Sequence, residues 1–94
     1  MAKIKIAVVD DHPLFREGVI SSFREIEDFE IVGEGESRDN AVRLVQEACP
    51  DVILMDISMP GNGLDAISKS LELCPHIKIV MLTVSEAREI SQGL

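Results

Sequence analysis

The chain has 94 residues, 46% hydrophobic and 3% aromatic, enough for one small domain and hardly for two. Its 9 basic and 17 acidic residues give a formal charge of -8, which excludes direct nucleic-acid binding unless a local basic patch overrides the mean. The sequence offers no such patch, because Lys3, Lys5, Lys69, Lys78, Arg16, Arg24, Arg38, Arg43 and Arg88 are scattered among acids.

Ile4 to Val9 is a nearly continuous apolar run rich in β-branched residues, as expected of a strand buried on both faces of a parallel sheet. Pro13 can open a helix, where its missing N–H is not needed, and Leu14, Phe15, Val19, Phe23 and Ile26 then recur at helical spacing. Phe29 to Gly33 predicts a second strand. Ser37 is a suitable N-cap for a second helix, with Ala41, Leu44, Val45 and Ala48 at i, i+3, i+4 and i+7. Val52 to Met55 predicts a third strand, ended by Asp56 and the breaker-rich loop Met59-Pro60-Gly61-Asn62-Gly63. A third helix follows, with Leu64, Ile67, Leu71 and Cys74 on one stripe. Ile77 to Leu82 predicts a fourth strand, and Ser85 can cap a further helix carrying Ala87, Ile90 and Leu94.

Ala48-Cys49-Pro50-Asp51-Val52-Ile53 is echoed 25 residues later by Leu73-Cys74-Pro75-His76-Ile77-Lys78, marking successive turns of one βα pattern. Strands alternating with helices in this way require a parallel sheet covered on both faces. Ligands of such sheets sit beyond the carboxyl ends of the strands. Asp10 and Asp11 stand at that end of the first strand, Asp56 at that of the third and Thr83 at that of the fourth. Three converging carboxylates repel one another unless a cation lies between them. Magnesium suits that need: it prefers carboxylate and carbonyl oxygens and commonly joins protein carboxylates to a phosphoryl group. A threonine hydroxyl can add a hydrogen bond to a phosphoryl oxygen.

Asp10-Asp11, Asp56 within Leu54-Met55-Asp56-Ile57-Ser58-Met59-Pro60, and Leu82-Thr83-Val84-Ser85 together resemble the receiver domain of two-component response regulators. The flanking Asp11-His12-Pro13-Leu14-Phe15-Arg16-Glu17-Gly18 is similar to the LuxR/FixJ-like subfamily, whose members carry a helix-turn-helix output domain. The resemblance implies an α/β, flavodoxin-like (CheY-like) doubly wound parallel sheet. It would be incomplete here, with four strands in the order 2-1-3-4, three helices and part of a fourth. Residues 1–94 would be the N-terminal portion of a receiver, without the output DNA-binding domain. The resemblance further implies that Asp56 accepts a phosphoryl group from a histidine kinase or phosphotransfer protein, with Mg2+ as cofactor. Asp11 would hold the metal directly and Asp10 mostly through water, with Asp56 and the backbone carbonyl of Ser58 as further ligands. Thr83 would turn toward the phosphoryl group as hydrogen-bond donor and switch, while Ser58 and Ser85 would modulate the lifetime of the acyl phosphate. Transcription would be regulated through the output domain.

The family pattern continues into a fifth strand ending in lysine, whereas all four lysines here precede Met81. The expectation is therefore a receiver truncated before its fifth strand, phosphorylated weakly and prone to self-association through the exposed edge of the fourth strand. One alternative is a non-phosphorylated fragment acting as a self-association or interaction module. Another is a magnesium-dependent phosphohydrolase, although such enzymes usually place an acid two residues after the nucleophile, where this chain has Ser58; the expected class is a switch rather than an enzyme. The longest apolar runs are far shorter than the roughly 20 residues of a membrane span. With Asp10 and Asp11 interrupting any export signal, the expected location is cytoplasmic, without membrane association.

Other residues invite plainer readings. His12, the one histidine near the acids, reads as a helix-start residue with a local hydrogen bond. Gly33-Glu34-Gly35 reads as a turn, since Arg38 occupies the third glycine position of a dinucleotide fingerprint. Cys49 and Cys74 lie far from any Cys-x-x-Cys spacing and read as reduced, partly buried thiols rather than a redox pair.

Overall fold

The computed structural model describes residues 3–56 and 63–82. In chain order the elements are β1 (Ile4–Val9), α1 (Pro13–Arg24), β2 (Phe29–Gly35), α2 (Arg38–Ala48), β3 (Val52–Asp56), α3 (Gly63–Leu73) and β4 (Lys78–Leu82). The strands form one parallel sheet in the order β2-β1-β3-β4, parallel as the alternation of strands and helices predicts and ordered as the family resemblance implies. The further helix expected after Ser85 lies outside the described residues. No helix among the described residues is long and apolar enough to cross a membrane.

Alternation along each strand divides the core in two. Ala7, Val9, Ile53 and Met55 face α2 and α3, where they meet Ala41, Val45, Ala66, Cys74 and Ile77. Ile6, Val8 and Leu54 face the other way, toward Ile20 of α1 with Val19 and Phe23 beside it. Ile53 and Met55 are wholly inaccessible, and burying a side chain of this size contributes about 1.5–3 kcal/mol. The rings of Phe23 and Phe29 meet edge to face, with centroids 5.6 Å apart, and tie the end of α1 to the start of β2.

Two helices are rotated from the apolar stripe that their sequence suggests. In α1, Leu14 is 84% exposed and Ile26 lies beyond the helix; the inward face is Arg16, Val19, Ile20 and Phe23. The cause lies at the helix start, where the Arg16 guanidinium is drawn in to hydrogen-bond the end of β1. In α3, Ile67 packs against the core and Cys74, just past the helix, is buried as expected, but Leu71 is exposed and Ala66 and Ser70 are buried instead. The element that α3 approaches most closely is α2, and small side chains occupy the buried side of α3.

β2 runs two residues past its predicted end at Gly33. A register shift between Ile6 and Ala7 accommodates the extension, and a side chain of Leu44 fills the space that a β-carbon at Gly33 would need. Helix α2 is capped as expected: Ser37 Oγ accepts from the Asn40 N–H at 3.2 Å, and Asn40 Oδ1 accepts from the Glu36 N–H at 3.0 Å. Its other end closes on Cys49, with φ 42° and ψ 62°, in the left-handed region usually taken by glycine. Beyond it, Asp51 gathers the amino ends of three strands. Its backbone N–H donates to the Lys5 carbonyl at 2.8 Å, its carbonyl accepts from Lys78 at 3.0 Å and its carboxylate accepts from the Lys5 N–H at 2.9 Å.

Candidate functional site

The site begins with the register of β1 and β3. Val9 lies opposite Met55, so the next residue of each segment, Asp10 and Asp56, emerges side by side at the carboxyl end of the sheet. Both are fully buried. The Asp10 N–H is anchored to the Gly35 carbonyl at 3.0 Å, which fixes the end of β1 against β2. Asp11 follows in a bend, partly exposed, and supplies a third carboxylate from the rim.

His12 stands among these acids. Its backbone N–H donates to Asp10 Oδ1 at 2.7 Å, the local hydrogen bond expected of a helix-start residue, and its extended backbone makes it the N-cap of α1. The ring goes further than the sequence suggests. Nδ1 lies 3.1 Å from Asp10 Oδ1, 2.9 Å from Asp11 Oδ1 and 3.5 Å from Asp56 Oδ2. One donor atom from each of Asp10, Asp11, His12 and Asp56 falls within 4.8 Å of the others. Asp10 Oδ2 is buried without a hydrogen-bond partner among the described residues. Leaving such an oxygen unsatisfied is costly, and a cation is one of the few ligands that answers a carboxylate there. Hard oxygen donors of this kind suit a small divalent ion better than a soft one.

Arg16 is the residue that motif reading passes over. One turn into α1, it donates from Nη1 to the Asp10 carbonyl at 2.6 Å and from Nε to Glu34 Oε1 at 3.0 Å. It thus ties the Asp10 backbone to α1 on one side and β2 on the other. The available signal was its place one helical turn after His12, on the strip continued by Val19, Ile20 and Phe23. Of the other expected site residues, Ser58, Thr83 and Ser85 lie outside the described residues.

A parallel α/β sheet with a buried aspartate pair at its carboxyl end agrees with a receiver, and the chain belongs to the response regulator receiver domain family, whose model matches residues 6–93. Among curated proteins it is 45% identical over 85 residues to the transcriptional regulatory protein DegU of Brevibacillus brevis, covering 89% of this chain and 36% of that protein. It is 44% identical over 84 residues to the response regulator GacA of Pseudomonas aeruginosa, covering 88% of this chain and 39% of the relative. The chain therefore spans less than half the length of these relatives. Among solved structures, the receiver domain of the putative response regulator NarL from Mycobacterium tuberculosis superposes with a TM-score of 0.78 at 34% identity, over 88% of this chain and 68% of that one.

Proposed function

We propose that the chain is the phospho-accepting switch of a two-component response regulator, with Asp56 as the acceptor. The observation that carries this reading is the burial of Asp56 beside Asp10 at the ends of adjacent strands, with Asp11 and His12 closing the cluster. In this reading Asp56 is the carboxylate nucleophile. One oxygen attacks the phosphorus of a phosphohistidine on a kinase or phosphotransfer protein, the P–N bond breaks, and an acyl phosphate forms. A magnesium ion held by Asp10, Asp11, Asp56 and the Ser58 carbonyl would neutralise charge on the phosphoryl oxygens.

The chain's own residues supply the positioning. Arg16 holds the Asp10 carbonyl, so the β1 end keeps its place when the charge at the site changes. The His12 ring occupies the space among the three carboxylates, and cation entry requires it to turn away. The hydroxyl of Thr83 is assigned as donor to the phosphoryl group and as the switch, with Ser58 and Ser85 modulating access of water. The names of its relatives support a transcriptional output, DegU being a transcriptional regulatory protein. A switch of this kind changes its partners rather than turning over a substrate.

The test is incubation with acetyl phosphate and magnesium, followed by intact mass. The wild-type chain is expected to gain one phosphoryl group when magnesium is present and none when a chelator is present from the start, and Asp56→Asn to gain none in either case. A phosphoryl adduct of undiminished yield in Asp56→Asn would remove Asp56 from its role.

A second reading, self-association, is favoured by one observation. β4 is the edge of the sheet among the described residues, and Val80 on it is 45% exposed. Light scattering across a concentration series is expected to show mass rising above that of one chain, and a constant single-chain mass would exclude it.

A further inference from the structure

At the opposite end of the sheet, Cys49, Cys74 and His76 form a second cluster, with one sulfur or nitrogen atom from each lying within 4.8 Å of the others. The two cysteines, expected as separate reduced thiols, are joined as a disulfide across Cα atoms 5.9 Å apart, a separation native disulfides favour. His76 places Nδ1 and Nε2 each 3.6 Å from Cys74 Sγ, and Nε2 3.9 Å from Cys49 Sγ. The three side chains differ in access. Cys74 is 1% exposed, Cys49 is half-buried and His76 is exposed.

The backbone makes a further distinction. Cys49 occupies the left-handed C-cap of α2, where glycine would fit without steric cost. A cysteine there accepts backbone strain that glycine would not, and its side chain bonds Cys74 while packing against the core that includes Ala41 and Val45 of α2.

We propose that Cys49 and Cys74 are a reversible thiol–disulfide couple, which exchanges with small-molecule disulfides through Cys49 and uses the His76 imidazole to carry protons. In the oxidising direction the Cys49 thiol gives its proton to His76, and the thiolate attacks one sulfur of the small disulfide. A mixed disulfide forms at Cys49, the small disulfide's S–S bond breaks, and the departing thiolate takes the proton from the imidazolium. The Cys74 thiol then gives its proton to the same ring and attacks the Cys49 sulfur. The second small thiolate leaves and is protonated in turn. Two cysteine thiols are oxidised and one small disulfide is reduced to two thiols. Excess small thiol drives the same steps backward.

Burial sets the order. A disulfide of glutathione size can reach the half-buried Cys49, whereas Cys74 is reached only by its neighbour. The couple is independent of phosphoryl chemistry, because it lies at the amino ends of β3 and β4, while Asp56 lies at the carboxyl end.

The experiment starts from the full chain reduced and freed of reductant, then exposed to oxidised glutathione and followed by intact mass and thiol titration. The wild-type chain is expected to lose both thiols, retain no glutathione and remain a single chain on a non-reducing gel. Cys74→Ala is expected to keep one glutathione at Cys49, and Cys49→Ala to load at least about ten-fold more slowly. His76→Gln is expected to slow closure of the wild-type pair by about ten-fold at neutral pH. Two thiols persisting in the wild-type chain, or a disulfide between chains, would overturn the couple without recourse to any variant. Equal loading of the two cysteine variants would overturn the assigned order, and an unchanged rate in His76→Gln the assigned proton carrier.

Discussion

At the carboxyl end of the sheet, Asp10 and Asp56 stand at the ends of β1 and β3 themselves, whereas at the amino end Cys49 and Cys74 are the residues that follow α2 and α3, ahead of the turns that lead into β3 and β4. Asp10 and Asp56 are therefore neighbours because the register of two parallel strands makes them so. Cys49 and Cys74 are neighbours because α2 and α3 each span 11 residues and return the chain to equivalent positions beside β3 and β4. The first end collects carboxylate oxygen atoms around one histidine ring, and the second collects two sulfur atoms beside another. One fold thus holds two unlike side-chain clusters at opposite ends, separated by the fully buried Ala7, Val8, Val9, Ile53 and Met55.

If the two ends are separable, breaking one should leave the other intact. The largest effect expected is on stability at the amino end. The disulfide closes a loop with a sequence separation of 25, and its loss in the double variant Cys49→Ala/Cys74→Ala is expected to cost about 3–4 kcal/mol. Denaturant unfolding of the wild-type chain with and without reductant measures the same quantity. Magnesium affinity, measured below the unfolding midpoint, should remain unchanged in that variant, and a parallel fall would show that the ends communicate.

A smaller effect is expected at the carboxyl end. Arg16→Ala removes the brace on the Asp10 carbonyl and is expected to weaken magnesium binding by about ten-fold, in the lower part of the range for residues that support metal ligands. Isothermal titration tests this, and closure of the Cys49–Cys74 bond should proceed at the wild-type rate. The smallest effect belongs to the element that reaches both ends. Ser37→Ala removes the cap of α2 and is expected to cost about 1 kcal/mol by thermal unfolding, with thiol reactivity and metal binding both preserved.

The acidic end was legible in the sequence because its signals are short-range. Asp10-Asp11 follows a strand, Asp56 ends another, and parallel topology does the rest. The faces of α1 and α3 were less legible because hydrophobicity alone does not say which side chain a neighbouring strand requires. Arg16 turns inward for a carbonyl, and Leu14 is left outside; its aliphatic stem can line an apolar face while its head finds acceptors. In α3, which packs against α2, Ala66 and Ser70 are buried and Leu71 is exposed, a choice that the apolar pattern alone does not make. The cysteine pair was visible as an echo at a separation of 25 residues, yet a Cys-x-x-Cys criterion looks only within one loop. Here α2 and α3 are of equal length and the residues just past them come into contact, so the matching positions of the echo were the available signal. His12 was read as a local feature because the sequence gives its backbone role but not the convergence of three carboxylates on one ring nitrogen.

The edge-to-face pair of Phe23 and Phe29 has a practical corollary. The chain contains three phenylalanines and neither tryptophan nor tyrosine, so its near-ultraviolet circular dichroism has few sources. The sharp vibronic lines arise chiefly from the two rings locked together between α1 and β2, and the broad band beneath them from the sulfur–sulfur chromophore on the other side of the sheet. A single spectrum thus reads the two faces separately, without any attached dye.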